Sequence, residues 1–293
     1  MDGNTIDGSS TVQPDLSEAL QRAIRRGPTV IDAHLRTLQR DILIGETRTT
    51  AHCYCLPVDG NGRVRVNPLA DFLYERIVDY SIPRRTVEEA TRQLQETGST
   101  AGLMKLQARA RGLFTHLAKS GEGGELLLFA MAEAVFGLAQ ILCKMTLKTS
   151  PHVHYHGADG VYADVRTDGG LNVYWAESKI FGDPVAAIRE CLNSLAPFLV
   201  EPDGTHAKRE QDILLINEFA NFSNADLVIG LKQFFDRDTP ASLQLQHRGF
   251  ALVGFDSLAY GTDGVEQTMD AIEAALKIEL PSWQNNIATD PAP

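Results

Sequence analysis

A chain of 293 residues with 43% hydrophobic and 22% charged side chains can bury a core without disulfide or metal staples. Its formal net charge of −11 excludes binding to nucleic acid by bulk charge alone, leaving a local basic groove or a partner that brings the polyanion close. No uncharged apolar run approaches the roughly 18 residues of a membrane helix, so no membrane association is expected.

The first residues, MDGNTIDGSSTVQPD, lack the basic and apolar regions of a signal peptide, and cytoplasmic residence is the expectation. The four cysteines agree: Cys53 and Cys55 are too close for an ordinary disulfide, and Cys143 and Cys191 fall in expected helices. His52 beside Cys53 and Cys55 suggests zinc only weakly, since no second ligand pair is in view.

In chain order, residues 1–15 read as a disordered tail. Leu16 to Arg26 is amphipathic, with Leu16, Leu20, Ala23 and Ile24 on one side and Gly27-Pro28 as its stop. Asp32 to Ile44 is mixed, and Thr49 to Val66 reads as short strands around Asp59-Gly60-Asn61-Gly62. Arg22, Arg25, Arg26, Arg36, Arg40 and Arg48 make this region locally basic, as solvated helix faces would be. Pro68 opens a helix through Ile82, and a second polar helix spans Thr86 to Glu96. Residues 16–100 thus form an α+β extension, for which partner docking is the natural role. Residues 103–119 carry Lys105, Arg109, Arg111 and Lys119 and no acid, the densest positive segment of the chain.

Gly121 to Gly124 introduces ELLLFAMAEAVFGLAQILCKM, apolar nearly all round and therefore read as one buried helix. Glu125 falls in its first turn, where the helix dipole favours a carboxylate; a turn toward a metal site accounts for it equally well. The stretch from His152 to Ile180 reads as strands joined by a tight turn at Asp168-Gly169-Gly170. Asp183 then caps a helix begun by Pro184, with Val185, Ile188, Leu192 and Leu195 inward. Helices follow over Ala207–Phe219 and Leu227–Phe235. Gly249 to Phe255 has the pattern of a strand buried on both faces. A last amphipathic helix covers Val265 to Glu279, and the tail from 282 to 293 reads as loose. Residues 101–281 form the second, α/β domain with a mixed sheet.

The chemistry is expected in the hairpin. Residues two apart on a strand share a face. Glu177 and Lys179 share theirs with Val173, Trp175 and Phe181, and Asp159 has the parity of Val161, Ala163 and Val165. Three charges thus take interior positions, and buried charge is costly unless paired or metal-bound. Two carboxylates on neighbouring strands can converge on one or two Mg²⁺ ions, with Mn²⁺ as an alternative. Such ions activate water and stabilise a phosphoryl group under in-line attack. A lysine two residues on can position the water or stabilise developing charge. The bland alternative is a turn-capping Asp159 and a structural Glu177–Lys179 ion pair. His152, His154 and His156 alternate along a strand, which a half-exposed face explains better than a metal role.

These residues carry a resemblance. The segments GGELLLF (123–129), HGADGV (156–161), YWAESKIF (174–181), ECLNSL (190–195) and GFALVGFDS (249–257) resemble the PD-(D/E)XK nuclease superfamily, whose core is a helix, three strands, a helix and a strand. More narrowly they resemble the HamA family, nuclease subunits of Hachiman anti-phage defence systems. The similarity is best from Gly121 to Ser257. It implies Asp159 as the motif aspartate, Glu177 as the (D/E), Lys179 as the lysine, and Glu125 as the acid of the first core helix. Ala158 stands where the motif has proline. The implied activity is Mg²⁺-dependent hydrolysis of DNA, and the implied partner is a HamB-like helicase subunit. A catalytically silent subunit that scaffolds a helicase, and a restriction or repair nuclease outside phage defence, are the alternatives.

Overall fold

The computed structural model describes residues 16–25, 31–114, 121–147, 157–200, 208–219, 221–222, 224–261 and 267–289. The expected 1–15 tail, the Gly27-Pro28 stop, Lys119 and the three alternating histidines lie outside them.

The chain begins with α1 (Leu16–Ala23), then a hairpin of β1 (Arg36–Leu43) and β2 (Thr50–Cys55). Four helices follow: α2 (Val66–Glu75), α3 (Ile77–Ser81), α4 (Arg84–Thr97) and α5 (Ala101–Leu113). The helix expected from Pro68 is therefore two, starting earlier at Val66 and broken at Arg76. Gly98, at φ +72°, turns the chain from α4 into α5.

The second part runs α6 (Glu122–Ala134), β3 (Ala139–Leu142), β4 (Gly160–Val165), β5 (Leu171–Phe181), α7 (Pro184–Leu199), α8 (Lys208–Phe219), α9 (Ala225–Phe235), β6 (Leu245–Phe255) and α10 (Met269–Thr289). The fold is mixed α/β. Its main sheet has the order β3-β4-β5-β6, antiparallel except for the parallel β5–β6 pair.

The long apolar run after Gly124 is not one helix. It stops at Ala134, turns at Gly137 (φ +64°), and becomes β3, so that Cys143 follows a strand rather than sitting in a helix. Hydrophobicity on every side fits a buried helix and a buried strand equally, and periodicity cannot separate them. The Asp168–Gly170 turn closes β4 onto β5 as expected, with positive φ at Gly169 alone. At Gly170 a Cβ would come within 2.8 Å of the Gln244 carbonyl oxygen.

Both faces of the sheet are covered. On one, α1, α7, α8 and α9 pack Leu20, Leu195, Phe198, Ile216, Leu231 and neighbours onto Ile141, Val161, Val173 and Trp175. On the other, α3 to α6 pack Tyr80, Leu106, Leu126 and Phe129 onto Tyr162 and Ala176. The inward stripe of α7 is shifted from the expected one: Ala187, Ile188, Cys191 and Leu195 are buried, while Val185 is exposed and Leu192 half-buried. β6 is longer than expected and lies at the sheet edge, half-exposed rather than buried on both faces. An apolar run reports composition, not the number of neighbours. The last helix continues through Pro281 to Thr289, where the sequence suggested a loose tail. Its buried side chains Ile272 and Leu276 pack with Cys55 of β2, and Trp283 joins them at the cluster's margin.

Candidate active site

Aromatic and β-branched residues around Glu177 (Val173, Tyr174, Trp175, Ile180, Phe181) favour a strand, and β5 runs without interruption through the charged pair. Glu177 faces α7. It is 5% exposed, its backbone carbonyl accepts from the Cys191 Sγ at 3.4 Å, and Ser194 of α7 favours the charged form of its carboxylate. Lys179, one strand repeat on, donates from Nζ to Glu177 Oε1 at 2.5 Å. A carboxylate buried alone would cost several kcal/mol. The lysine and serine offset that.

Asp159 arrives differently from the expectation. It lies on a bend just before β4, so strand parity does not set its direction. Its Oδ2 accepts from both the backbone N–H and the hydroxyl of Ser178, each at 2.8 Å. The bend is held from behind: Lys144, after β3, donates to the Ala158 carbonyl at 2.7 Å and to Asp212 of α8 at 2.8 Å. The antiparallel register pairs Gly160 with Ala176, which brings Asp159 to the level of Glu177.

The electrostatics join the three residues. Burial, reinforced by the negative charge of Asp159, pushes the Glu177 carboxyl above its ordinary range, and Lys179 and Ser194 pull it back in part. Burial opposes the charge on Lys179, but Glu177 and Asp159 outweigh it and raise the ammonium's pKa. The site is thus two acids in mutual repulsion and one cation shared between them.

Glu125 does not complete a group of three metal-holding side chains with this pair among the described residues. It lies on α6, whose first turn adjoins the site: a Cβ at Gly124 would sit 3.2 Å from the Ser178 hydroxyl that also bonds Asp159. The Glu125 carboxylate accepts from the Tyr80 hydroxyl at 2.7 Å. Burial and the neighbouring Glu125 charge push the Tyr80 phenol well above its ordinary pKa. Among the described residues no group of three His, Cys, Asp or Glu side chains is placed to hold a metal, the Cys53–Cys55 segment included, and none of the four cysteines forms a disulfide.

Do the residues nevertheless suit a divalent ion? Mg²⁺ needs only one or two carboxylates and keeps water or phosphate oxygens for the rest. Asp159 and Glu177 supply two, Asp159 commits only Oδ2 to Ser178, and their repulsion is what a cation would relieve. The pair fits.

Several participants escaped the sequence. Ser178 could have been found, since it lies between Glu177 and Lys179. Lys144, Asp212, Tyr80 and Ser194 leave no local signal, because only the fold makes them neighbours.

No helix among the described residues is long and apolar enough to cross a membrane. Comparison with curated proteins finds no match, and neither does comparison with solved structures. The HamA family matches residues 33–291, which takes in the α+β region from β1 onward and the whole main sheet. The chain therefore belongs to the HamA family of Hachiman defence-related proteins.

Proposed function

We propose that this chain is a Mg²⁺-dependent DNA endonuclease of the cytoplasm, the effector subunit of an anti-phage defence complex whose other subunit is a helicase. One observation carries the reading: a half-buried aspartate crosses to the strand that holds a buried glutamate and its ion-paired lysine. Family membership supports the defence setting. The order α6, β3, β4, β5, α7, β6, with α8 and α9 inserted before β6, supports a PD-(D/E)XK type of core.

Asp159 and Glu177 would hold the ion, which when bound would supply Lewis acidity toward water and the phosphoryl group. Ser178 fixes the Asp159 carboxylate through two hydrogen bonds. Lys179 presents a compact charge toward the phosphate oxygens that gain negative charge in the transition state. Its present bond to Glu177 would be shared with substrate. The apolar side chains beneath, Trp175 and Val173, exclude water from the floor of the site.

The test is cleavage of supercoiled plasmid with Mg²⁺, by the chain alone and with its helicase. Glu177→Gln and Lys179→Ala should each lower the rate by at least about 100-fold. Cutting at the wild-type rate by either variant would sink the proposal.

A second reading has an observation of its own. Lys179 already neutralises Glu177, Asp159 is tied to Ser178, and among the described residues no third acid joins them. That is also what a catalytically silent subunit regulating a helicase would retain. Calorimetry separates the two: Mn²⁺ binding lost in Glu177→Gln belongs to the nuclease, and no binding by the wild type belongs to the silent subunit.

A further inference from the structure

The most basic stretch of this acidic chain has no part in the site described above. No acid falls between Glu96 and Glu122, while Lys105, Arg109, Arg111 and Lys119 do. The structure makes the first three part of α5. One face of that helix is internal, with Leu106 and Ala110 buried against the neighbouring helices. The other carries Ala101, Met104, Lys105, Ala108, Arg109 and Gly112, all exposed and all within the spacing that gathers residues on one helix face. Lys105 and Arg109 lie one turn apart there, about 6 Å along the axis. Ala101, Ala108 and Gly112 around them are small, and Met104 borders the face.

The contrast with α4 is informative. There Arg84 pairs with Glu88, and Arg92 with Glu89 and Glu96, so that helix is internally neutralised. On α5 neither Lys105 nor Arg109 makes an ion pair among the described residues, and Arg111 rests over the Tyr74 ring, 5.8 Å from its centroid. α5 also leads toward α6. Phe114, its capping residue, packs on Tyr80 with ring centroids 6.2 Å apart, and Tyr80 bonds Glu125 at 2.7 Å.

We infer that the exposed face of α5 is a docking surface for the phosphate backbone of duplex DNA, with Lys105 and Arg109 as its contacts. Charge complementarity selects the occupant. A chain of net charge −11 repels a polyanion everywhere except where cations stand free of acids. The alanines and glycine let a backbone come close, and the one exposed large apolar side chain, Met104, is not the cluster of aromatic and aliphatic anchors that a protein interface is built on. The inference deepens the nuclease reading and rests on it for the choice of DNA.

The test is fluorescence anisotropy with a labelled DNA duplex and the full chain in EDTA, where no cutting occurs. Lys105→Glu with Arg109→Glu should weaken binding at least tenfold. It should also lower the slope of log affinity against log salt by about 2, one for each phosphate that the variant no longer neutralises. Lys232→Glu with Lys277→Glu, the same charge change on α9 and α10, should leave binding near wild type. Equal loss in both pairs, unchanged binding in the α5 pair, or no binding by the wild type would overturn the inference. So would an α5 pair that loses only the helicase partner and keeps DNA. An unchanged thermal melt shows that the α5 pair is folded. Glu177→Gln separates this proposal from the nuclease reading: it should bind DNA as wild type does while failing to cut. Binding through α5 by a chain that never cuts would sink the nuclease alone, and cutting that survives without α5 would sink the docking surface alone.

Discussion

Glu133 of α6 is 4% exposed, and its carboxylate accepts the Arg25 backbone N–H at 3.0 Å. Burial pushes its pKa to about 7, against the attraction of Arg25. The consequence for stability has a definite sign. The folded carboxyl holds its proton more tightly than the unfolded one, so the folded state is favoured at low pH. That advantage drains away as the pH rises from the ordinary value of 4.5 through about 7. The loss is about 3 kcal/mol across the window. Urea midpoints at pH 5 and pH 8 should differ accordingly, and Glu133→Gln should flatten the difference. A wild-type midpoint that rises with pH over this range would show the assignment to be wrong. Glu177 is raised by the same mechanism, but there Lys179 stands against it, and the balance serves a site rather than a core.

At the scale of elements, the bend that carries Asp159 depends on two others. Lys144 follows β3, Asp212 belongs to α8, and the ammonium ties both to the Ala158 carbonyl. Burial lowers the lysine's pKa and raises the aspartate's, and each partly restores the other. Such a pair adds little against an apolar replacement, yet removing one partner strands the other charge in the interior. Lys144→Met should therefore cost about 3–5 kcal/mol in urea unfolding, and adding Asp212→Leu should recover most of it. A single variant as stable as wild type, or a double variant no better than the single, would contradict this. The arrangement also explains why Asp159 ignores strand parity. Its backbone is held outside the sheet, and its carboxylate finds the free N–H at Ser178.

For the molecule as a whole, the α+β region is not an appendage. Ile77, Tyr80, Ile82 and Ala90 share a core with Leu126, Phe129 and Tyr162, and Leu69 and Phe72 share another with Ala130 and Met131. Arg36 of β1 is ion-paired with Glu273 of α10, which joins the two ends of the chain. The family match from residue 33 to 291 spans the same unit. A fragment of residues 101–293 would expose the underside of α6, large apolar side chains included. It should show no cooperative melt by circular dichroism, whereas residues 16–293 should melt in one transition. A cooperatively folded fragment would make the shared clusters an interface between independent domains.

What the sequence determined by itself was local or periodic. The hairpin at Asp168–Gly170, the Asp183 cap on α7 (Val185 N–H to Asp183 Oδ1, 2.8 Å), the amphipathic α1 and the Glu177–Lys179 pair follow from turn chemistry and two- or four-residue spacing. These depend on neighbours along the chain, which the sequence names directly. The uniformly apolar runs were another matter. One split into α6 and β3, and another became a half-exposed edge strand, because hydrophobicity records composition and neither what a segment pairs with nor how many neighbours cover it. The site divides in the same way. Glu177 and Lys179 were legible from strand alternation. The bend that delivers Asp159, the Lys144–Asp212 brace behind it, and the commitment of Glu125 to Tyr80 were decided by tertiary structure, since each joins residues that only the packed sheet and its two helical layers bring together.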